Sequence, residues 1–194
     1  MNKEWAEMNK TLQLQIKKKD TFAMGIDTLL ELRRTLMELI MQFKNELSDT
    51  DFCAMPYINA KGYHSKTIAY SLWHIFRIED IVAHSLIAND EQILFVGDYQ
   101  SRIKSPIITT ANELEKEEIG EFSKKLSIEE LYNYIVDVDE STTRILKTLT
   151  YKDMKGKISD ERRKQLETLN VVSEDENAHW LIGYWCGKDV RGLI

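Results

Sequence analysis

His64, His74 and His84 stand ten residues apart, a spacing that invites reading them as a row of metal ligands. On one helix, however, ten residues turn through roughly 1000°, which leaves about 80° between successive side chains. Three such imidazoles diverge and cannot converge on one ion, so each must be judged singly. Asp80 lies four residues before His84 and can pair with it along a helix surface. His64 falls at a helix start, where exposure is expected. His74 sits in YSLWHIFRIED, residues 70–80, and its neighbours one turn away are Tyr70, Arg77 and Ile78, a mixed face beside an apolar one. The fourth histidine, His179, has Asp175 four residues before it, with Cys186 and Asp189 further on.

Cys53 and Cys186 match neither a CxxC pair nor a disulfide framework, so a reducing, cytoplasmic setting is expected. Cys53, in a loop beside Met55 and Pro56, has no visible basic partner and reads as inert. There is no Gly-rich phosphate loop and no G-x-S-x-G elbow, which leaves nucleotide-dependent and serine-hydrolase chemistry without support. The formal charge of −6 and pI near 5.3 oppose a broad nucleic-acid surface. Lys17, Lys18 and Lys19 form a short basic run that reads as solvated. No apolar stretch approaches the ~20 residues that span a bilayer, and the first residues are too polar for a signal peptide. Neither nucleic acid nor membrane is an expected partner.

The elements that must position these side chains are helical. With 194 residues, 43% apolar content, two prolines and eight glycines, one domain over 1–194 is expected, and the scarcity of turn residues argues against an all-β chain. From Phe22, the residues Ile26, Leu29, Leu30, Leu36, Leu39, Ile40 and Phe43 repeat at three and four and draw one buried stripe. Residues 1–20 read as an amino-terminal extension and 48–63 as a loop. A second helix is predicted from His64 to Ala88 with the stripe Ile68, Leu72, Ile75, Val82 and Leu86, and Glu79 falls on that line. Residues 89–126 read as an excursion with one short helix near Asn112 to Glu121. Ser127 and Glu130 have capping-box spacing and open a third stripe, Leu131, Ile135, Val138, Ile145 and Leu149, with Thr142 as its polar member. Ser159 starts a short polar helix, and Ser173 with Glu176 suggests another cap ahead of Ala178, Leu181, Ile182 and Trp185. Four one-sided stripes bury themselves against one another, so the expected class is all-α, an antiparallel four-helix bundle with a long excursion between its second and third core helices.

The stretch KTIAYSLWHIFRIEDIVAH, residues 66–84, resembles the second helix of the DinB-like proteins, a group of helical bundles that includes the bacillithiol transferase relatives. In that family a histidine in a segment of the form W-x-x-x-H or L-x-H-[I/L]-x-x-x-E supplies one ligand of a three-histidine metal site. Here that residue is His74, followed by Glu79 and Asp80. The architecture compares over about residues 22–190, whereas the sharp motif is confined to one helix. The resemblance implies a bundle that is often a homodimer, zinc or nickel as a divalent metal cofactor, and a thiol-dependent transferase or hydrolase acting on a small-molecule thiol or other small substrate.

The sequence departs from that pattern at the site. The family's other two ligands form an H-x-x-x-H pair on a later helix, which places both imidazoles on one face, and no such pair occurs in these residues. Two accounts fit. The site has changed type, with His74 and His179 joined by Asp175, or by Cys186 and Asp189, a mixed set that zinc accepts. Alternatively, the apolar end WLIGYWCGKDVRGLI precedes a further helix bearing the pair, or is completed by another chain. Two functions follow: a divalent-metal-dependent enzyme in which the metal lowers the pKa of a water or thiol, or a non-catalytic assembly or interaction module with an incomplete metal site. The cluster Trp180, Tyr184 and Trp185 motivates the second, since one side of a short helix cannot bury all three.

Overall fold

The computed structural model describes residues 2–194, without the side chains of Asn2 and Tyr63. It is all-helical. The order is α1 (Asn2–Gln15), α2 (Phe22–Glu46), α3 (Asp49–Cys53), α4 (Ile68–Asp80), a π-helix (Ile81–Ala88), α5 (Ile93–Val96) and α6 (Tyr99–Ile103). It continues through α7 (Glu117–Lys125), α8 (Ile128–Thr148), α9 (Asp160–Leu169), α10 (Glu176–Cys186) and α11 (Val190–Leu193). Among the described residues no helix is long and apolar enough to cross a membrane.

The long stripes form where the apolar periodicity places them. In α8, Leu131, Tyr134, Ile135 and Val138 are fully buried, and Ser127 caps the helix by accepting the Glu130 N–H. Glu130 does not close the expected capping box; its carboxylate pairs with Arg102 of α6 instead. The first residues, read as an extension, fold as α1 against α2 because Leu12 and Ile16, one turn apart, bury beside Phe22 and Ile26. Gly25 permits this: a Cβ there would stand 3.0 Å from the Ile16 backbone nitrogen. Residues 48–63 are not all loop, since Ser48 and Asp51 form a capping box that starts α3.

The predicted helix from His64 begins later, at Ile68, with Thr67 capping the Tyr70 N–H. It then widens after Asp80 into eight π-helical residues that end at Asn89 in the left-handed region, φ 60°. The excursion carries α5 and α6 as well as α7, and α7 starts at Glu117 rather than Asn112. The cap of α10 is Asp175, not Ser173, because the Asp175 carboxylate accepts the Asn177 N–H at 2.8 Å.

Three apolar clusters result. One joins the second half of α2 to α4, the excursion and α8 around Trp73, Phe76, Tyr132 and Tyr134. Another packs the π-helix on α9 and α10 through Leu86, Leu166, Leu181 and Trp185. The third holds α1 on α2 and includes Met154 and Val190.

Candidate functional site

Two arginine–carboxylate clusters flank α4, and they differ in how completely their polar atoms are satisfied. The first is Arg77 with Asp80, both side chains fully buried. Arg77 donates through Nε to the Ile108 carbonyl (2.8 Å), through Nη1 to Asp80 (3.1 Å) and through Nη2 to Gln92 (2.5 Å). Asp80 also accepts the Ile93 and Leu94 N–H groups at 2.8 and 3.0 Å and the Tyr134 hydroxyl at 2.8 Å. The first turn of α5 is thus capped by a carboxylate from α4, which meets its unpaired N–H groups and positive end. Burial, followed by the charge of Asp80, raises the Tyr134 phenol well above its ordinary range and keeps it a donor. Every partner is accounted for, and the cluster ties the excursion to the helical core.

The second cluster is Arg33 of α2 with Glu79 of α4 and Asp139 of α8. Arg33 Nη2 reaches Glu79 at 2.7 Å and Asp139 at 2.5 Å, with side chains 15%, 19% and 24% exposed respectively. Burial works against the guanidinium charge, but Glu79 and then Asp139 more than restore it. Burial raises the Asp139 carboxyl above the usual range, with Glu79 adding to the shift and Arg33 opposing it. Here the bookkeeping does not close: Arg33 Nε is buried without a hydrogen-bond partner, and so is Thr142 Oγ1 one turn along α8 from Asp139.

Arg33 and Thr142 both line a cavity of about 340 Å³ between α2, α4, the π-helix, α8 and α10. Its other walls are apolar, from Leu29, Val82, Ile87, Ile145 and Trp185, while Glu79 and Lys188 supply charge. A buried polar group without a partner costs about 1–3 kcal/mol, so two such groups on residues that line one cavity mark side chains that a guest atom would stabilise. Arg33 Nε can only donate, whereas a threonine hydroxyl can donate or accept. A hydroxyl, carbonyl or carboxyl oxygen on an apolar body has the matching chemistry. The π-helix contributes Val82, Ala83 and Ile87 to the wall, and such widened turns recur at functional sites.

The residues singled out in the sequence are dispersed. His74 is half-buried; its Nδ1 lies 2.7 Å from the Thr110 carbonyl, and its ring stacks on Tyr70. Burial lowers the His74 pKa, helped by the Lys66 ammonium and opposed by the Thr110 carbonyl and Glu113. With Nδ1 as the donor to that carbonyl, Nε2 keeps its lone pair, and no described side chain bonds it. Nearby Glu113 takes the Thr109 hydroxyl on one carboxylate oxygen and leaves the other buried without a partner. His179 is exposed on α10, with Asp175 as that helix's cap. Cys186 packs against the α9–α10 cluster, and Asp189 caps α11 and pairs with Arg191. No hydrogen bond or ion pair joins His74 to His179, Asp175, Cys186 or Asp189. Among the described residues, no group of three or more His, Cys, Asp and Glu side chains is placed to hold a metal ion.

His84 differs from its expected surface pairing. It is buried in the π-helix, its Nδ1 2.6 Å from Asp90 and its Nε2 4.0 Å from Asp80. The widened helical turn carries the imidazole inward, so the contact with Asp80 is a distant one. His64 is exposed, but in a short 3-10 turn (Gly62–Ser65) ahead of α4 and not at the start of that helix.

Sequence reasoning missed Arg33, although it falls on the line Leu29, Leu36 and Ile40, where a charge is out of place. Glu79 and Thr142 gave the same signal as polar members of apolar stripes. No protein-family model, curated protein or solved structure matches the chain.

Proposed function

We propose that this chain is a small-molecule-binding helical bundle, in which α2, the α4–π segment, α8 and α10 act as the four core helices. The ligand is an amphiphile that places one oxygen against Arg33 Nε and Thr142 Oγ1 and lays its apolar body along Val82, Ile87 and Trp185. One observation carries this reading: the two residues that each hold a buried, unpartnered polar atom line the same largely apolar cavity. Sites of this kind combine an apolar lining with a few placed polar groups. Structural ion clusters, by contrast, are normally satisfied, as Arg77 and Asp80 are here.

Trp185 lines the cavity and is 4% exposed, which makes it a built-in reporter. Titration with 1-octanol should change Trp185 emission saturably, read against a Trp185→Phe control, and Thr142→Val should weaken binding about five- to tenfold, the loss of one buried hydrogen bond. Octanol that gives no saturable response, or binds both proteins equally, removes the basis of the proposal.

A second reading, a DinB-like enzyme dependent on zinc or nickel, is favoured by one feature. His74 holds Nδ1 on a backbone carbonyl, the arrangement that orients metal-ligating histidines, and Glu113 beside it has an uncommitted carboxylate oxygen. The described side chains supply no third ligand, so no chemical step is derived through a metal. Elemental analysis of protein purified without chelator or a nickel column tests it directly. About one metal per chain, lost in His74→Ala, supports the reading, and metal-free protein rejects it. The exposed pair Trp180 and Tyr184, rings 5.6 Å apart, is where a homodimer would form, and sedimentation showing a monomer at micromolar concentration would exclude that assembly.

A further inference from the structure

A second cavity, of about 610 Å³, abuts the first, and Ile87 and Ile145 line both. Its chemistry is different. Lys152, Lys157 and Arg162 line it against a single carboxylate, Asp153. Asp153 takes the Thr150 N–H and hydroxyl, which hold its pKa below the ordinary value, so it remains ionised and subtracts one charge from three. Arg162 is committed, since its Nη1 caps the Leu86 and Ile87 carbonyls at the end of the π-helix. Among the described residues neither Lys152 nor Lys157 has a carboxylate within ion-pair distance. A local excess of two positive charges on a chain of net charge −6 concentrates anions there.

The two cavities are arranged along one helix. Thr142 and Ile145 of α8 face the first, and Ile145, Thr148 and Leu149 face the second, with Lys152 in the turn that follows. From Thr142 to Thr148 the axis advances about 9 Å, a span that a medium-length alkyl chain can bridge.

We infer that the ligand is an anionic amphiphile whose phosphate-like head sits between Lys152 and Lys157, while its apolar body enters the first cavity and carries at its far end the oxygen that Arg33 and Thr142 take. This rests on the reading of that first cavity as a binding site and adds the class of head group. The head chemistry could belong to an alkyl phosphate or to free phosphate, and the geometry favours the former, because the basic cavity shares its wall with the apolar one.

The test compares ω-hydroxyoctyl phosphate, 1-octanol and inorganic phosphate on the full chain, by calorimetry and Trp185 emission, with a double variant Lys152→Gln/Lys157→Gln. Both lysines are exposed, so the variant should fold, and retained octanol binding verifies that it has. Hydroxyoctyl phosphate should bind at least tenfold more tightly than octanol, and the double variant should abolish that advantage while leaving octanol affinity unchanged. The advantage should also shrink as salt is raised. Equal affinity for the two octyl compounds, or an advantage that survives loss of both lysines, overturns the inference and leaves the first cavity's role intact. Inorganic phosphate binding as tightly as hydroxyoctyl phosphate overturns it too, since the anion site would then be independent of the apolar one. Failure of both octyl compounds to bind refutes the underlying reading and the inference with it.

Discussion

Arg77 and Arg33 are the two arginines held by acids within the core region, and they stand on opposite terms with their surroundings. Arg77 is fully buried, and with Asp80 it meets Gln92, Tyr134 and the backbone of three residues of the excursion. Arg33 is less buried, is held by two carboxylates, and has a buried nitrogen, Nε, without a partner, in a side chain that lines a cavity. A satisfied buried network fixes a chain's path, whereas an unsatisfied one stores an interaction for something else. The contrast separates architecture from function more clearly than residue type does, since both clusters are arginine with carboxylate.

The largest expected effect lies on the architectural side. Asp80→Ala leaves a buried guanidinium and two α5 N–H groups unpaired and should cost about 3–5 kcal/mol in urea unfolding. A loss below about 1 kcal/mol would mean that the cluster does not pin the excursion. Tyr134→Phe removes one hydrogen bond to a charged acceptor and should cost about 1.5–3 kcal/mol, with octanol affinity unchanged, because Tyr134 does not line the cavity. Arg33→Met should behave in the opposite way, weakening octanol binding while costing less stability than Asp80→Ala, because its two carboxylates keep partial access to water. Equal destabilisation by the two substitutions would erase the distinction between the clusters.

A smaller effect concerns pH. The folded His74 pKa lies below its ordinary value near 6.5, so the unfolded chain binds the proton more tightly. The stability linked to it is complete above about pH 6.5 and is lost as pH falls through the depressed folded value. Asp139 runs the other way: its raised pKa makes its contribution greatest below the unfolded value of about 3.8 and diminishes it as pH rises through the folded one. Comparison of His74→Gln with the parent between pH 7 and 5 should therefore show a flatter stability profile in the variant. A steeper one would contradict the direction of the shift.

Much of the helical architecture was legible in the sequence. The stripes through Leu131, Ile135 and Val138, and through Leu181 and Trp185, are buried as their spacing requires. Ile75 was misplaced on its stripe and is 44% exposed. The π-helix, the two short helices after Gln92 and the burial of His84 were not legible, because each depends on contacts made across the fold. Asp80, for instance, caps α5 from thirteen residues away. The site was half legible: Glu79 and Thr142 were visible as polar residues on apolar lines, but their meeting with Arg33 of α2 is a product of packing. His74, the residue with the clearest motif, lies outside the cavity that Arg33 and Thr142 share.

The central claim, that the Arg33–Thr142 cavity is kept unsatisfied for a ligand, has a test in one variant measured twice. Thr142→Val removes a buried hydroxyl that has no partner in the folded chain, so it should leave thermal stability unchanged or raise it by up to about 1–2 kcal/mol. The same substitution should weaken octanol binding about five- to tenfold. A Thr142→Val protein that is less stable than the parent and binds octanol equally well would contradict the account, because the hydroxyl would then serve the fold and not a ligand.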